Sequence, residues 1–294
     1  MADDPIRETD LPALFIAADR NSAAGQRRTL RATRLRLLLL ALAAVSGAVS
    51  WQAGRLDVAG FIGAAALATA LVVEVYLLTS RPERQWYDGR AVAESVKSLS
   101  WRYLVGGAPL PLSTPAGELD EALLRRFQAL LRDMSGVYLV PAPEDGEQIT
   151  EAMRRCRALP LSERQRLYRS RRIADQRTWY ATKAAWNERR ATLWSLTLAA
   201  AEAAGITGGI LKAAGIVDVD VLGICGAVVA AGAAWTQTKQ HGNLARAYAV
   251  AAMELADIDA RAGGPFDEES WARFVDGAEE AISREHRLWR ATHA

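Results

Sequence analysis

Leu37-Leu-Leu-Leu-Ala-Leu-Ala-Ala-Val-Ser-Gly-Ala-Val-Ser-Trp-Gln-Ala-Gly54 contains no charged residue, and after the link Arg55-Leu56-Asp57 a second uncharged run extends from Val58 to Val73. A third run covers residues 191–211, interrupted only by Glu202, and a fourth covers 221–238. A bilayer core of about 30 Å is crossed by roughly 20 mainly apolar helical residues, with about 17 near the lower limit. Runs one, two and four reach that range with their flanking polar residues. Run three reaches it only with Glu202 inside. The pattern predicts an all-α integral membrane protein: two transmembrane helical hairpins, four spans, and a cytoplasmic helical bundle. The spans fall at about 37–54, 58–79, 192–212 and 219–238.

A soluble bundle with Ala-rich core helices is the competing reading, and 24% charged residues with a mean hydropathy near zero fit it. Charge placement argues against it. Arg27, Arg28, Arg31, Arg34 and Arg36 crowd the start of run one, and Arg81, Arg84 and Arg90 follow run two. Lys183, Arg189 and Arg190 precede run three, while Lys239 and Arg246 follow run four. The two hairpin loops carry only Arg55 and Lys212. The positive-inside bias then puts both termini and the long middle segment in the cytoplasm. Trp51, Trp194 and Trp235 stand at run ends, where amphipathic rings favour the headgroup level.

The first thirty residues are polar and mixed in charge, so no cleavable signal peptide is expected. Cys156 and Cys225 make no disulfide framework, which fits a reducing cytoplasm for the soluble part. The net charge of +2 is accounted for by topology and does not point to nucleic acid.

Outside the runs the chain reads as helix. Residues 10–30 form an amphipathic lead-in, and 83–105 continue run two until Gly106, Gly107, Pro109 and Pro111 stop it. Further helices are predicted over 118–135 and 150–159, with 141–146 as the clearest linker. Ser162 and Gln165 resemble a capping box opening a helix that runs to residue 204. The two halves repeat: each is a tight hairpin preceded by a Gln-Arg-bearing helix and followed by another helix. Trp86 and Trp235 take similar places. Such duplicated units bury their faces by packing copy on copy. The predicted organisation is an N-terminal unit at 1–112, cytoplasmic helices and a linker at 113–161, and a C-terminal unit at 162–294.

Asp10-Leu-Pro-Ala-Leu-Phe15, Gln26-Arg-Arg-Thr-Leu30, Trp86-Tyr-Asp-Gly-Arg90 and Trp101-Arg-Tyr103 resemble the SLATT superfamily, the SMODS- and SLOG-associating two-transmembrane effectors. The second half resembles another branch through Trp179-Tyr180, Trp186-Asn187, the 248–255 segment and the span from Trp271 to Trp289. The resemblance covers nearly the whole chain, through loose helical patterns. It implies a membrane effector of bacterial conflict systems, in the inner membrane, opening a pore when a nucleotide signal is sensed. No nucleotide synthetase or sensor domain is evident in the chain, so the resemblance implies a sensor partner or direct sensing by the cytoplasmic helices.

Ser195, Glu202, Gly205, Gly209 and Lys212 fall at spacings of seven, three, four and three, and so share one face of the third span. Ionisable groups inside a span face the bundle interior or a water-filled cavity. Glu202, about mid-span, is the leading pore or gating candidate, with Ser195 and Lys212 beside it. The other reading is a packing face on which Glu202 hydrogen-bonds a neighbouring helix. Glu74, near the cytoplasmic end of span two, is either a gating group or an interface residue. Gly60 and Gly63 in span two, and Gly223 and Gly226 in span four, read as small-residue helix packing. Arg90, Glu94, Lys97 and Trp101 share a face of the next helix and form the candidate cytoplasmic coupling surface. Its partner is predicted in the stripe Trp271, Val275, Ala278, Ile282 and Trp289, where Glu285 pairs with Arg90 or Arg102. Glu279 and Glu280 read as solvated charges.

No enzyme, cofactor or metal is predicted: His241, His286 and His293 lack metal spacing, and Gly205-Ile-Thr-Gly208-Gly209 lacks the P-loop ending. Two function classes remain. One is a homo-oligomeric pore or channel gated through its cytoplasmic helices. The other is a membrane-anchored scaffold that docks a partner protein.

Overall fold

In the computed structural model the described residues are 6–49, 51–133 and 146–291, with side chains described except at 116 and 284–291. The predicted Ser135, the 141–145 part of the linker and His293 lie outside them, as do the side chains of Glu285, His286 and Trp289. The chain is 83% helical, which makes it all-α. After a 3-10 turn at Glu8–Asp10 come α1 (Ala13–Ala48), a two-stranded ribbon β1 (Gln52–Ala53) and β2 (Leu56–Asp57), α2 (Val58–Ser80) and α3 (Pro82–Val105). Then follow α4 (Ala116–Asp133), α5 (Glu151–Arg157), α6 (Leu161–Leu167), a π-helical segment (Tyr168–Ala174) and α7 (Asp175–Ala213). The chain closes with α8 (Val221–Lys239), α9 (His241–Arg261) and α10 (Glu268–Ala291).

Three helical stretches, Val58–Val105, Leu161–Ala213 and Val221–Arg261, are long and apolar enough to cross a membrane. The first predicted span differs from its expectation. α1 ends at Ala48, where β1 and β2 pair antiparallel, Gln52 opposite Asp57 and Ala53 opposite Leu56. Gly54 turns the ribbon at φ +65°, a conformation that a side chain resists. Only residues 37–48 are therefore both helical and uncharged, about 18 Å at 1.5 Å per residue. The predicted capping box also moves. α6 starts at Leu161 after Pro160, with no side-chain cap, because proline already sets an extended entry. The predicted long helix starting near Ser162 reaches Ala213, with a π-helical segment inside it.

The chain divides into two compact units. The hairpin unit is Arg27–Pro82 with Lys183–Ala247, and the helical-core unit is Met1–Gln26 with Glu83–Thr182 and Tyr248–Ala294.

Within the hairpin unit the two halves reuse the same devices. α2 and α8 each follow an aspartate whose side chain lies over the glycine three residues on. Asp57 Oδ1 accepts from Gly60 N at 3.0 Å, and a Cβ at Gly223 would lie 2.5 Å from Asp220 Oδ2. Each second helix then ends on a left-handed residue, Arg81 at φ 39° and Gln240 at φ 48°, before α3 or α9 begins. A break at the same step of both halves is the physical trace of the duplication. Trp86 and Trp235 are not its markers: Trp86 follows the break in α3, and Trp235 precedes it in α8.

The helical-core unit is held by an aromatic stack. Tyr168 stands edge-on between Trp101, with ring centroids 6.0 Å apart, and Trp271, 5.7 Å away. Phe266 and Phe274 extend the stack past Trp271. Trp271, Val275, Ala278 and Ile282 are buried, so the predicted stripe of α10 is the face it presents to the core. That face closes on the end of α3. Trp271 Nε1 donates to Val105 O at 2.8 Å, and a Cβ on Gly107 would meet Val275 Cγ1 at 2.4 Å. Gly107 is there because no side chain fits.

Candidate functional site

α7 and α8 run antiparallel on a seam of small residues. A Cβ at Gly205 would meet Cys225 Cβ at 2.9 Å, one at Gly208 would meet Val221 Cβ at 2.4 Å, and one at Gly232 would meet Leu198 Cδ2 at 2.6 Å. A Cβ on Gly209 would meet Leu222 Cδ2 at 3.3 Å. Glycine lets the two backbones approach where lipid supplies no hydrophobic force to hold them together. Gly208 and Gly232 complete this seam; Gly208 was named in the sequence with Gly205 and Gly209, and Gly232 was not singled out.

The polar face predicted on span three divides. At about 100° per residue, Glu202 lies about 60° round α7 from Gly205, and Ser195 about 80°. Both are exposed at the edge of the seam, while Gly205 is buried in it. Among the described residues, Glu202 makes no ion pair or hydrogen bond. Ile206 and Ile210, on the same side of α7, are exposed apolar residues. Lys212 is paired, its Nζ 3.4 Å from Asp220 Oδ1, and so closes the loop of its own hairpin.

Span two is different. Glu74 Oε2 is 2.6 Å from Arg36 Nε of α1, and this ion pair joins the two helices of the first hairpin. A Cβ on Gly63 would meet Ala43 O and Ser46 Cβ of α1 at 3.4 Å. Gly60 and Gly223 serve beneath Asp57 and Asp220 rather than between helices, and nothing lies within 4 Å of a Cβ placed on Gly226.

At the outer end of the second hairpin, Asn187 and His241 are both buried. Asn187 Nδ2 donates to Lys183 O at 2.8 Å, which orients the amide, so His241 Nδ1 donates to Asn187 Oδ1 at 2.7 Å.

The coupling residues of α3 assemble against the start of the chain. Arg90 Nη2 is 2.6 Å from Glu94 Oε1. Lys97 Nζ reaches Glu8 Oε1 at 2.6 Å and lies over the Phe15 ring at 5.6 Å. Trp101 is buried in the aromatic stack. The expected pairing of Glu285 with Arg90 or Arg102 falls on a side chain outside the described ones. Arg102 Nη2 is 3.0 Å from Asp276 Oδ1 of α10.

The buried carboxylate of α10 is Glu279, which corrects its reading as a solvated charge. Glu279 has 0% exposure, and its two oxygens take Arg172 Nε at 2.9 Å and Nη2 at 2.8 Å. Tyr168 Oη donates to the same carboxylate at 2.9 Å. Burial works against the Arg172 charge, yet Glu279 beside it holds its pKa above the ordinary guanidinium value. Burial and the Glu279 charge push the Tyr168 phenol well above its usual pKa. The signal was present in the sequence: Glu279 stands four residues after Val275 and three before Ile282, on the buried stripe itself.

Two further buried arginines close the end of α3. Arg164 Nη1 donates to Val105 O at 2.7 Å, its Nε to Leu159 O at 2.9 Å, and its Nη2 to Glu268 Oε1 at 2.5 Å. Arg157 donates to the carbonyls of Tyr103, Leu110 and Pro111. Residues 151–177 carry many arginines, and nothing in their spacing told these two from the solvated ones.

Residues 12–165 match the family described as SMODS and SLOG-associating 2TM effector domain 3, SLATT_3. The chain belongs to the SLATT family. A second SLATT match, to SMODS and SLOG-associating 2TM effector domain 1, covers residues 168–289. Two SLATT domains thus follow one another in one chain. No curated protein and no solved structure matches it. SLATT domains are membrane effectors of conflict systems, and the apolar helices of the chain belong in contact with lipid.

Proposed function

We propose that this SLATT protein is an oligomeric pore or ion channel of the bacterial inner membrane, gated through its cytoplasmic helices in antiviral or other conflict defence. The observation that carries the reading is Glu202. A charged group at mid-span is expensive against lipid and is found facing a bundle interior or water. Glu202 has no partner among the described residues of its own chain, so in the assembled protein its surroundings come from other copies or from a water-filled path. Ser195, one wheel position away, lies along the same path. Gly226, open on its outer side, gives a neighbouring copy room for close approach.

In this reading four segments cross the bilayer, with both termini and the middle of the chain in the cytoplasm. The basic residues before α1's apolar stretch and after α2 support that orientation. The short first span is completed by Thr33–Arg36 at the cytoplasmic end. There Arg36 and Glu74 neutralise each other, and the neighbouring arginines extend toward the headgroups. The gating signal passes along helices that continue from the hairpin unit into the helical-core unit, α1 and α7 foremost.

Cells expressing the chain test this reading. Induction is expected to collapse the membrane potential, followed with a potential-sensitive dye, and Glu202→Ala at equal membrane abundance is expected to change the extent of the collapse. A normal potential with wild-type protein in the membrane, in cells that supply the conflict trigger, contradicts the pore and favours a scaffold.

A further inference from the structure

The helical-core unit contains a cavity of about 500 Å³ between the start of the chain, α3, and the junction of the π-helical segment with α7. That volume lies in the range of small-molecule sites. Phe15, Trp101 and Trp179 supply its aromatic wall, and Arg7, Arg90, Lys97, Arg171 and Arg172 its basic groups.

Two donors on this wall are unsatisfied. Trp101 Nε1 and Arg172 Nη1 are each buried with no hydrogen-bond partner. Their residues are 4% and 1% exposed. A buried donor left unmet is costly, and native structures rarely tolerate one without a reason. The two belong to one cluster: Trp101 packs on Tyr168, and Tyr168 shares Glu279 with Arg172. Glu279 fixes the guanidinium through Nε and Nη2, which leaves Nη1 without a partner. Of the four lining carboxylates, Glu8 and Glu94 face Lys97 and Arg90 at 2.6 Å each, Asp175 lies 3.9 Å from Arg171, and the charge of Asp19 acts on Arg90. The remaining demand is for an acceptor. The residues Tyr168–Ala174 that carry Arg172 are π-helical, and π-turns recur at functional sites.

We propose that this cavity binds a small molecule consisting of an oxyanion on a flat ring. The oxyanion accepts from Trp101 Nε1 and Arg172 Nη1, and the ring lies against Phe15 and Trp179. Phosphate and carboxylate share this chemistry. Binding here does not depend on whether the hairpins conduct ions, so its test stands apart from that of the pore.

The test is calorimetric titration of the purified full chain in detergent with phenyl phosphate, benzoate, inorganic phosphate and benzyl alcohol. Phenyl phosphate or benzoate is expected to bind saturably, and more tightly than inorganic phosphate or benzyl alcohol, each of which has half of the recognised chemistry. Trp101→Phe keeps the ring and removes the N–H, and is expected to weaken the ring oxyanion roughly five- to tenfold. Trp179 is 40% exposed, so Trp179→Ala serves if Trp101→Phe fails to fold. It is expected to weaken the ring oxyanion and leave inorganic phosphate unchanged. Absence of binding by both ring oxyanions overturns the proposal. So does inorganic phosphate binding as tightly as they do, or a folded Trp101→Phe protein binding them as tightly as wild type.

Discussion

Glu279→Ala is expected to destabilise the helical-core unit by about 3–5 kcal/mol, the range for removing one partner of a buried ion pair. The substitution leaves the Arg172 guanidinium buried without its bidentate acceptor, and takes from the buried Tyr168 hydroxyl the only acceptor it has among the described residues. It also leaves a small cavity beside Arg172 and Tyr168. The loss comes from the abandoned charge more than from the net worth of the pair. The double variant Arg172→Met with Glu279→Leu is therefore expected to recover most of it, since apolar residues of similar volume often replace a buried pair without penalty. Urea unfolding of the full chain in detergent, followed by tryptophan emission, reads both effects, because Trp101 and Trp271 flank Tyr168. A loss below about 1 kcal/mol, the value typical of an exposed pair, contradicts this account of the core.

The second large effect is expected at Gly208. A Cβ there would lie 2.4 Å from Val221 Cβ and 2.5 Å from its Cγ1. Val221 opens α8, so its Cβ moves only if the backbone moves, and the two helices must separate. Gly208→Val is expected to destabilise the second hairpin by at least the roughly 1–3 kcal/mol of an overpacked core. The control is Gly242→Ala at the start of α9, which meets nothing within 4 Å and is expected not to lower the melting temperature of the purified chain. If the melting temperature of Gly208→Val equals that of wild type, the seam is looser than these contacts require.

The comparison of sequence with structure has a physical pattern. Uncharged stretches mark membrane-capable helices because a missing charge is a property of the chain alone. Three of the four predicted runs lie in helices long enough to cross. The first run is cut short because a two-residue ribbon forms where periodicity reads only a link, and such a ribbon depends on pairing across Gly54. The α10 stripe was legible at helical spacing. The buried Glu279 on it was not legible: it was set aside as one charge among several, and its partner Arg172 lies 107 residues earlier in the chain. The glycines show the same limit. A small residue permits close approach, but only the facing helix decides whether it is used, as at Gly205 and Gly209, or open, as at Gly226. The Asp57–Gly60 and Asp220–Gly223 steps share the spacing Asp-Val-x-Gly and were open to reading in the sequence, although they were not singled out there.

Ion flux from proteoliposomes containing the purified chain tests the central claim most directly, with empty liposomes and Glu202→Ala as comparisons. The pore reading predicts flux above the empty control, altered by Glu202→Ala at equal protein content. Flux no greater than that of empty liposomes, with correctly inserted and oligomeric protein and the activating trigger present, contradicts it. Flux that ignores the substitution contradicts the place given to Glu202.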